Sequence, residues 1–480
     1  MEKTLTIPEK LISRLMLYLV FSVLLSTNLR AQQQPDKPNI IIIYADDMGW
    51  GDVGYHGVEN DIRTPNIDQL ASEGVAFSQG YVSASVCSPS RAGLLTGQYQ
   101  QRFGCGENPC GSGYPENEKA LKSGLPDTIP ILPELLKTQG YTTGMIGKWH
   151  LGLSENKRPN ARGFDYFYGF LNGAHSYYEA DIHFGKKKGK WPIFRNNQIV
   201  EYDGYMTEVF TKEAGQFITQ QKENPFFLYL AYNAVHHPWE VPDAYLNRLD
   251  HIKTPYRKKF AGMVLAMDDG IGQIIQTLKD QKLYDNTIII FMSDNGSPSG
   301  QGKDAAEGDY MSSTGGLRGW KGDTYEGGIK VPFIMRWPGQ LQTNVTYDKP
   351  VINLDITPTL THFLDIDEPA PGFYDGKDLL PFLNGKTNDR PHEELFWRRD
   401  EDYAIRIGDW KLTCNNRGNK ATNGVELFNL KEDPFEKNNL AHQYPEKVIK
   451  MQQQFDQWDH NLPASICWGA PKNRNTHLEK

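Results

Sequence analysis

Three short apolar runs stand out along the chain. They are Asn39-Ile-Ile-Ile-Ile-Tyr44, Pro225-Phe-Phe-Leu-Tyr-Leu-Ala231 and Asn286-Thr-Ile-Ile-Ile-Phe-Met292. None alternates with polar residues, and the first and third are rich in isoleucine, so each predicts a strand buried on both faces, as in a parallel sheet. Helical patterns lie between them. Thr64-Pro-Asn-Ile-Asp-Gln-Leu-Ala71 reads as a helix start, Ile131 to Lys137 precedes a stop at Gly140, and Met206 to Gln220 and Phe260 to Leu278 are longer. Alternating strands and helices predict an α/β fold with a large, mostly parallel sheet sandwiched by helices. The pattern changes near Pro391. Glu394–Arg398, Tyr403–Ile407, Trp410–Thr413 and Val425–Phe428 read as short strands between turns, and Pro445 to Trp458 as a closing helix. This predicts a smaller C-terminal subdomain, 391–480, of antiparallel sheet plus helix, following a main domain over 32–390.

The N-terminus follows a different pattern. Lys3, Lys10 and Arg14 precede an apolar run from Leu15 to Leu25, 11 residues long and too short to span a bilayer as a helix. Polar residues then lead to Ala31, a small residue suited to end a signal peptide. Residues 1–31 are therefore expected to direct export to the periplasm or the medium, with no stable membrane insertion once they are removed. Their loss takes away four positive and two negative side chains and moves the formal charge from -8 to -10. That balance argues against a nucleic-acid partner. It leaves an anionic small substrate open, because the local field of a cleft outweighs net charge. With 39% hydrophobic and 23% charged residues over 480 positions, the rest of the chain has ordinary globular composition. Five cysteines, Cys87, Cys105, Cys110, Cys414 and Cys467, leave one unpaired in an exported chain. If that one is Cys87, the local pairings are Cys105–Cys110 and Cys414–Cys467, although four cysteines allow other connectivities.

Chemistry concentrates at the strand ends. The first run is followed by Asp46 and Asp47, the third by Asp294 and Asn295. Ligands in open parallel sheets bind beyond the carboxyl ends of the strands. Three carboxylates converging there repel one another unless a cation joins them, and hard oxygen donors suit Ca²⁺ or Mg²⁺ rather than zinc. The sharpest segment is Cys87-Ser-Pro89-Ser90-Arg91 running to Thr96-Gly97. Pro89 marks a helix start, which places Cys87 near a helix N-terminus that attracts anions, with Arg91 one turn in.

Cys-x-Pro-Ser-Arg followed by an apolar pair and Thr-Gly resembles the signature of type I, formylglycine-dependent sulfatases of the alkaline-phosphatase-like superfamily. Gly140-Tyr-Thr-Thr-Gly-Met-Ile-Gly147-Lys148-Trp149-His150 resembles the family's second signature. Asp46-Asp47-Met-Gly-Trp-Gly, Thr64-Pro-Asn-Ile-Asp, Ser293-Asp294-Asn295-Gly296 and Lys321-Gly-Asp-Thr-Tyr-Glu326-Gly-Gly fit as well, in family order. The resemblance implies that a maturase oxidises Cys87 to formylglycine (3-oxoalanine). It implies that Asp46, Asp47, Asp294 and Asn295, with the modified Cys87, hold Ca²⁺. It implies that Arg91, Lys148, His150, His236 and Lys321 surround the sulfate, with His236 selected over His237 because the family pattern is His-x-Pro. Lys330 stands where the family more often has arginine, and a supporting role is expected for it.

Residues 151–205 are expected to shape the substrate pocket through Arg158, Arg162, His175, Tyr177, Tyr178, His183, Trp191, Arg195 and the basic run Lys186–Lys190. The substrate implied is a sulfated carbohydrate, algal polysaccharides such as ulvan or carrageenan foremost. The rival readings are a phosphodiesterase or phosphonate hydrolase using the same formylglycine, and a glycan-binding protein without catalysis.

Overall fold

The apolar run Asn39–Ala45 forms strand β1, and its neighbouring residues go to two different cores. Ile40, Ile42 and Tyr44 pack into one, while Ile41, Ile43 and Ala45 pack into the other. That division is why the run lacks alternation: both faces of the strand are covered. The computed structural model describes residues 37–108, 122–179, 191–298, 310–415 and 424–463. The expected signal segment, the Lys186–Lys190 run, His183, Cys110 and Cys467 lie outside the described residues, and so both expected cysteine pairings do too.

The strands that follow are β2 (Val75–Phe77), β3 (Gly80–Tyr81), β4 (Thr142–Lys148), β5 (Tyr166–Phe170), β6 (Ile193–Arg195), β7 (Gln198–Val200), β8 (Phe226–Ala231), β9 (Thr287–Ser293), β10 (Phe333–Arg336), β11 (Val345–Tyr347) and β12 (Val351–Ile352). Ten of them make one sheet in the order β11-β2-β10-β9-β1-β8-β4-β5-β6-β7. The five central strands, β9 to β5 in that order, are parallel, and antiparallel pairs (β10–β9, β5–β6, β6–β7) appear toward the edges. Helices Pro65–Ser72, Met206–Gln220 and Pro255–Asp280 cover one face, and Cys87–Thr96, Leu132–Lys137 and Ile356–Phe363 the other. No described helix is long and apolar enough to cross a membrane.

Strand β4 does not announce itself in the sequence, because Thr-Thr-Gly-Met-Ile-Gly-Lys contains two glycines that ordinarily weaken a strand. The structure supplies the reason for Gly147. Its φ is 111°, and a Cβ there would stand 1.9 Å from the Ala231 carbonyl oxygen of β8. Only glycine allows the two backbones to approach this closely.

The small sheet runs β13 (Glu394–Arg399), β14 (Asp402–Ile407), β15 (Trp410–Cys414) and β16 (Glu426–Asn429), each antiparallel to the next. Helix Pro445–His460 lies on it, with Phe455 stacked on Tyr403 at 4.4 Å and Trp458 on Phe396 at 4.8 Å. A buried charge cluster joins this sheet to the segment 326–330. Lys411, fully buried on β15, reaches Glu326 at 2.9 Å and Glu436 at 2.8 Å. Tyr81 donates to Glu326 at 2.7 Å, and Arg406 donates to the Tyr81 hydroxyl at 2.6 Å.

Candidate active site

The parallel registers bring four strand ends to one edge. Ala45 lies opposite Ser293, and Ala231 lies opposite both Tyr44 and Gly147. The residues just beyond β1, β9, β4 and β8 therefore emerge together, at the position where α/β sheets bind ligands. Backbone bonds carry the register past the strand ends. The Asp294 N–H donates to Ala45 O (3.0 Å), the Asp46 N–H to Ala234 O (2.9 Å) and the Val235 N–H to Asp46 O (2.8 Å). The Met48 N–H donates to Ser293 Oγ at 2.9 Å and the Asp47 N–H to Asp294 Oδ1 at 3.2 Å. Asp47 (φ 66°) and His150 (φ 59°) both occupy the left-handed region. Non-glycine residues pay steric strain there and concentrate at functional sites.

Helix Cys87–Thr96 begins at Cys87 after extended Val86, pointing its N-terminus into the cluster. Cys87 Sγ lies 3.4 Å from Asp46 Oδ1, 3.9 Å from Asp47 Oδ1 and 3.1 Å from Lys321 Nζ. Lys321 also donates to Asp47 Oδ1 at 2.5 Å, and Lys148 to Asp46 Oδ2 at 2.6 Å. Arg91 is fully buried and grips Asp294 through Nε (2.9 Å) and Nη2 (2.7 Å), while its Nη1 donates to the Lys148 carbonyl at 3.1 Å. The guanidinium thus fixes Asp294 and the end of β4 together. Asn295 Nδ2 donates to Asp47 Oδ1 at 2.8 Å. His236 Nε2 stands 3.7 Å from Asp47 Oδ2, and its Nδ1 is 2.8 Å from the His237 carbonyl, so that nitrogen carries the hydrogen. His150 is buried with Nδ1 unpaired. Gly173 lies against its ring, and a Cβ there would come within 2.7 Å of Nε2.

Electrostatics sort these groups. Burial, then Asp294, pushes the Cys87 thiol up to about 12, so at neutral pH the unmodified side chain is a thiol and a poor nucleophile. Burial opposes ionisation of Asp47, but Lys321, His236 and Lys148 outweigh it and hold the carboxyl well below its usual range. Burial and then Asp46 raise Asp294. Burial, reinforced by Lys148 and Arg91, drives His150 far down. Burial does the same to His236 against the pull of Asp47. Both imidazoles are neutral at ordinary pH.

The family model described as "Sulfatase" matches residues 38–366. The chain belongs to the sulfatase family. A second model, "N-sulphoglucosamine sulphohydrolase, C-terminal", matches residues 318–461 of this sulfatase, spanning the small sheet and its helix. N-acetylgalactosamine-6-sulfatase of Mus musculus is 32% identical over 429 residues, covering 84% of this chain and 78% of that protein. The crystal structure of Ps i-CgsB is 33% identical with a TM-score of 0.81, covering 90% of this chain and 94% of that one. The same protein has been solved in complex with k-i-k-neocarrahexaose. PsFucS1 sulfatase from Pseudoalteromonas sp. is 27% identical with a TM-score of 0.74, covering 91% and 93%. The protein is thus a sulfuric ester hydrolase of the type I, alkaline-phosphatase-like group.

The family implies a formylglycine and a divalent metal, and the residues present fit both. Cys87 Sγ occupies the place that the oxygens of the modified residue would take. Asp46, Asp47, Cys87 and His236 offer donor atoms all within 4.8 Å of one another. Asn295 Oδ1 is buried without a partner, an orphaned acceptor on the same amide whose Nδ2 donates to Asp47. Charge points the same way. Three carboxylates, Asp46, Asp47 and Asp294, meet three cations, Arg91, Lys148 and Lys321, so the side chains cancel. An anion gains net attraction only when a further cation joins them.

All the residues expected at the site from the sequence converge here. The expectations for 151–205 fare differently. Arg162 is buried and bound to Glu134, Pro126 O and Ile129 O. His175 Nδ1 and Nε2 lie 2.5 and 2.6 Å from the Ser176 and Trp191 carbonyls, and Trp191 is buried. Arg195 pairs with Glu213, and Arg158 donates to Leu153 O. These are fold-holding residues, and of the described set only Tyr178 and Arg195 are exposed. Lys330 Nζ sits 5.0 Å from the Trp50 ring, and its backbone N–H donates to Glu326 O at 2.8 Å. Tyr177 has a role that no sequence pattern signals. Its hydroxyl lies 2.6 Å from Asn233 O and 2.9 Å from His236 O, and Glu240 accepts from the Tyr177 N–H at 2.7 Å. It clamps the loop that carries His236.

Proposed function

We propose that this sulfatase removes sulfate from a sulfated polysaccharide or its oligosaccharides, of the carrageenan type, using a formylglycine made from Cys87 and a Ca²⁺ held by Asp46, Asp47, Asp294 and Asn295. The likeness to Ps i-CgsB across nine-tenths of the chain, and that protein's complex with a neocarrahexaose, carries the substrate class. The carboxylates of Asp46, Asp47 and Asp294 and the orphaned Asn295 Oδ1 support a hard cation. The proposal includes a maturase that oxidises Cys87, export directed by residues 1–31, and a division into a catalytic part (32–390) and a C-terminal part (391–480).

The hydrated formylglycine would supply one hydroxyl to displace the sugar alkoxide and a second whose deprotonation lets sulfate leave. Ca²⁺ would add the positive charge that the side chains lack and acidify the attacking hydroxyl. Lys148 and Lys321 orient the sulfate oxygens, and Arg91 acts by holding Asp294. Such preorganised charge is worth roughly 3 kcal/mol for a single donor. Lys321, a protonated group 3.1 Å from Cys87 Sγ, supplies the hydrogen bond and proton to the leaving oxygen. His236 in its neutral form presents a lone pair at Nε2 and assists as acceptor. His150, neutral and with Nδ1 unpaired, serves as the base for the second step.

The test is release of inorganic sulfate from sulfated polysaccharides and oligosaccharides, with an aryl sulfate and an aryl phosphodiester alongside, on protein co-expressed with a maturase. Carrageenan-type substrates and the aryl sulfate are expected to turn over. Dominant turnover of the phosphodiester would move the protein to the phosphodiesterase reading, and binding without any release would favour the glycan-binding one. Stripping divalent ions with a chelator is expected to remove activity, and Ca²⁺ is expected to restore it better than Mg²⁺ or Zn²⁺. Full activity after exhaustive chelation would rule out the metal.

A further inference from the structure

His236 and His237 are neighbours with opposite surroundings. His236 is buried against Asp47, whereas His237 is exposed. The two rings lie 4.1 Å apart at 30°, and the His237 carbonyl holds His236 Nδ1. Neither ring nitrogen of His237 has a hydrogen-bond partner among the described residues. Two residues further along the same loop, the half-buried Trp239 has one side packed on the core, its ring 6.1 Å from the His237 ring and its Nε1 buried without a partner. The loop is held from beneath by Tyr177 and Glu240, so this imidazole and indole sit on a fixed support. The charged groups that act on His237 are those of the site itself, Asp47, Lys321, Asp46 and Lys148. The exposed His237 ring thus lies directly against the His236 ring, which itself borders Asp47.

We propose that His237 and Trp239 form the contact surface for the sugar that bears the sulfate: the His237 imidazole hydrogen-bonds the hydroxyl next to the ester, and Trp239 packs on the ring's apolar face. The inference rests on the carbohydrate reading above. Geometry favours it, because a sulfate seated between Lys321 and His236 places its ester oxygen near His236, and the next polar atom outward on a sugar is a neighbouring hydroxyl. Imidazole both donates and accepts, which suits a hydroxyl, and indole offers a flat apolar face.

The test compares His237→Ala, His237→Asn and Trp239→Ala with the parent, on a sulfated oligosaccharide that the parent desulfates and on 4-nitrophenyl sulfate, which has no neighbouring hydroxyl. A hydrogen bond to substrate predicts that His237→Ala loses roughly 10- to 100-fold in kcat/KM on the oligosaccharide. The loss is expected mainly in KM and to be at least about tenfold smaller on the aryl sulfate. His237→Asn is expected to regain part of it, and Trp239→Ala to show the same substrate bias. Equal losses on both substrates would mean that the residues act only through His236, and no loss on either would remove them from the site. Both results overturn the proposal. A parent that desulfates the aryl ester but no carbohydrate defeats the carbohydrate reading itself, and the inference with it.

Discussion

Cys87→Ser folds like the parent and loses on the order of 10⁴-fold or more in kcat for sulfate release, the scale seen when a nucleophile is removed. Folding should survive because Cys87 is the first residue of its helix, where serine is well tolerated, and because the two side chains differ little in size. The chemical loss comes from the missing second hydroxyl. A serine hydroxyl lacks the second hydroxyl of a hydrated aldehyde, so a sulfate transferred to it has no internal route of departure. The measurement is therefore double: sulfate release under turnover conditions, and the mass of the peptide containing residue 87. In the parent that peptide is expected to carry the aldehyde or its hydrate. In Cys87→Ser it is expected to be plain serine, or serine bearing sulfate after exposure to substrate. Active parent protein with an unmodified thiol would refute the mechanism. The structure already weighs against a thiol nucleophile, since burial and Asp294 hold the Cys87 thiol near 12.

Lys411→Met is expected to lower stability by about 3–5 kcal/mol, the usual cost of removing one partner from a buried ion pair. Lys411 is fully buried and is the cation that lies within 3 Å of both Glu326 (2.9 Å) and Glu436 (2.8 Å). Without it the two carboxylates face each other in a desolvated cluster. Burial already lifts Glu436 to about 7 despite Lys411. Denaturant unfolding followed by tryptophan fluorescence tests this, since the Trp397 ring lies 6.0 Å from Lys411. Adding Glu436→Gln to Lys411→Met is expected to restore part of the loss, because it removes one of the stranded charges. A loss below about 1 kcal/mol, the range of exposed pairs, would show that the cluster is not what fastens β15 to the segment 326–330.

The limits of the sequence are visible in particular residues. Strands β1, β8 and β9 were legible because a strand covered on both faces has no polar alternate, and their ends gave the oxygen donors Asp46, Asp47, Asp294 and Asn295 directly. The four short strands near the C-terminus and their helix also matched. Strand β4 was legible only as a motif, because its glycines answer to the close approach of β8 rather than to any local preference. The antiparallel edges were not legible, since β2, β6, β7, β10 and β11 are only three or four residues long and too short to carry a period. Arg162, His175 and Arg195 looked like pocket residues because charge and aromaticity carry no sign of their partners. Hydrogen bonds to Glu134, Ser176 and Trp191 make Arg162 and His175 internal fasteners, and the exposed Arg195 is tied to Glu213.

By itself, then, the sequence determined the class of sheet and the residues that reach its ligand-binding edge, Cys87 among them, because each is written as a local run or a fixed spacing. Which cation meets which carboxylate was decided only by tertiary structure. Arg91 holds Asp294, Lys148 holds Asp46 and Lys321 holds Asp47, across separations of 102 to 274 residues. The exposure of His237 beside buried His236 was decided in the same way. Pairings of this kind follow from parallel register and from loops packed beyond the strand ends, and neither leaves a mark in the order of neighbouring residues.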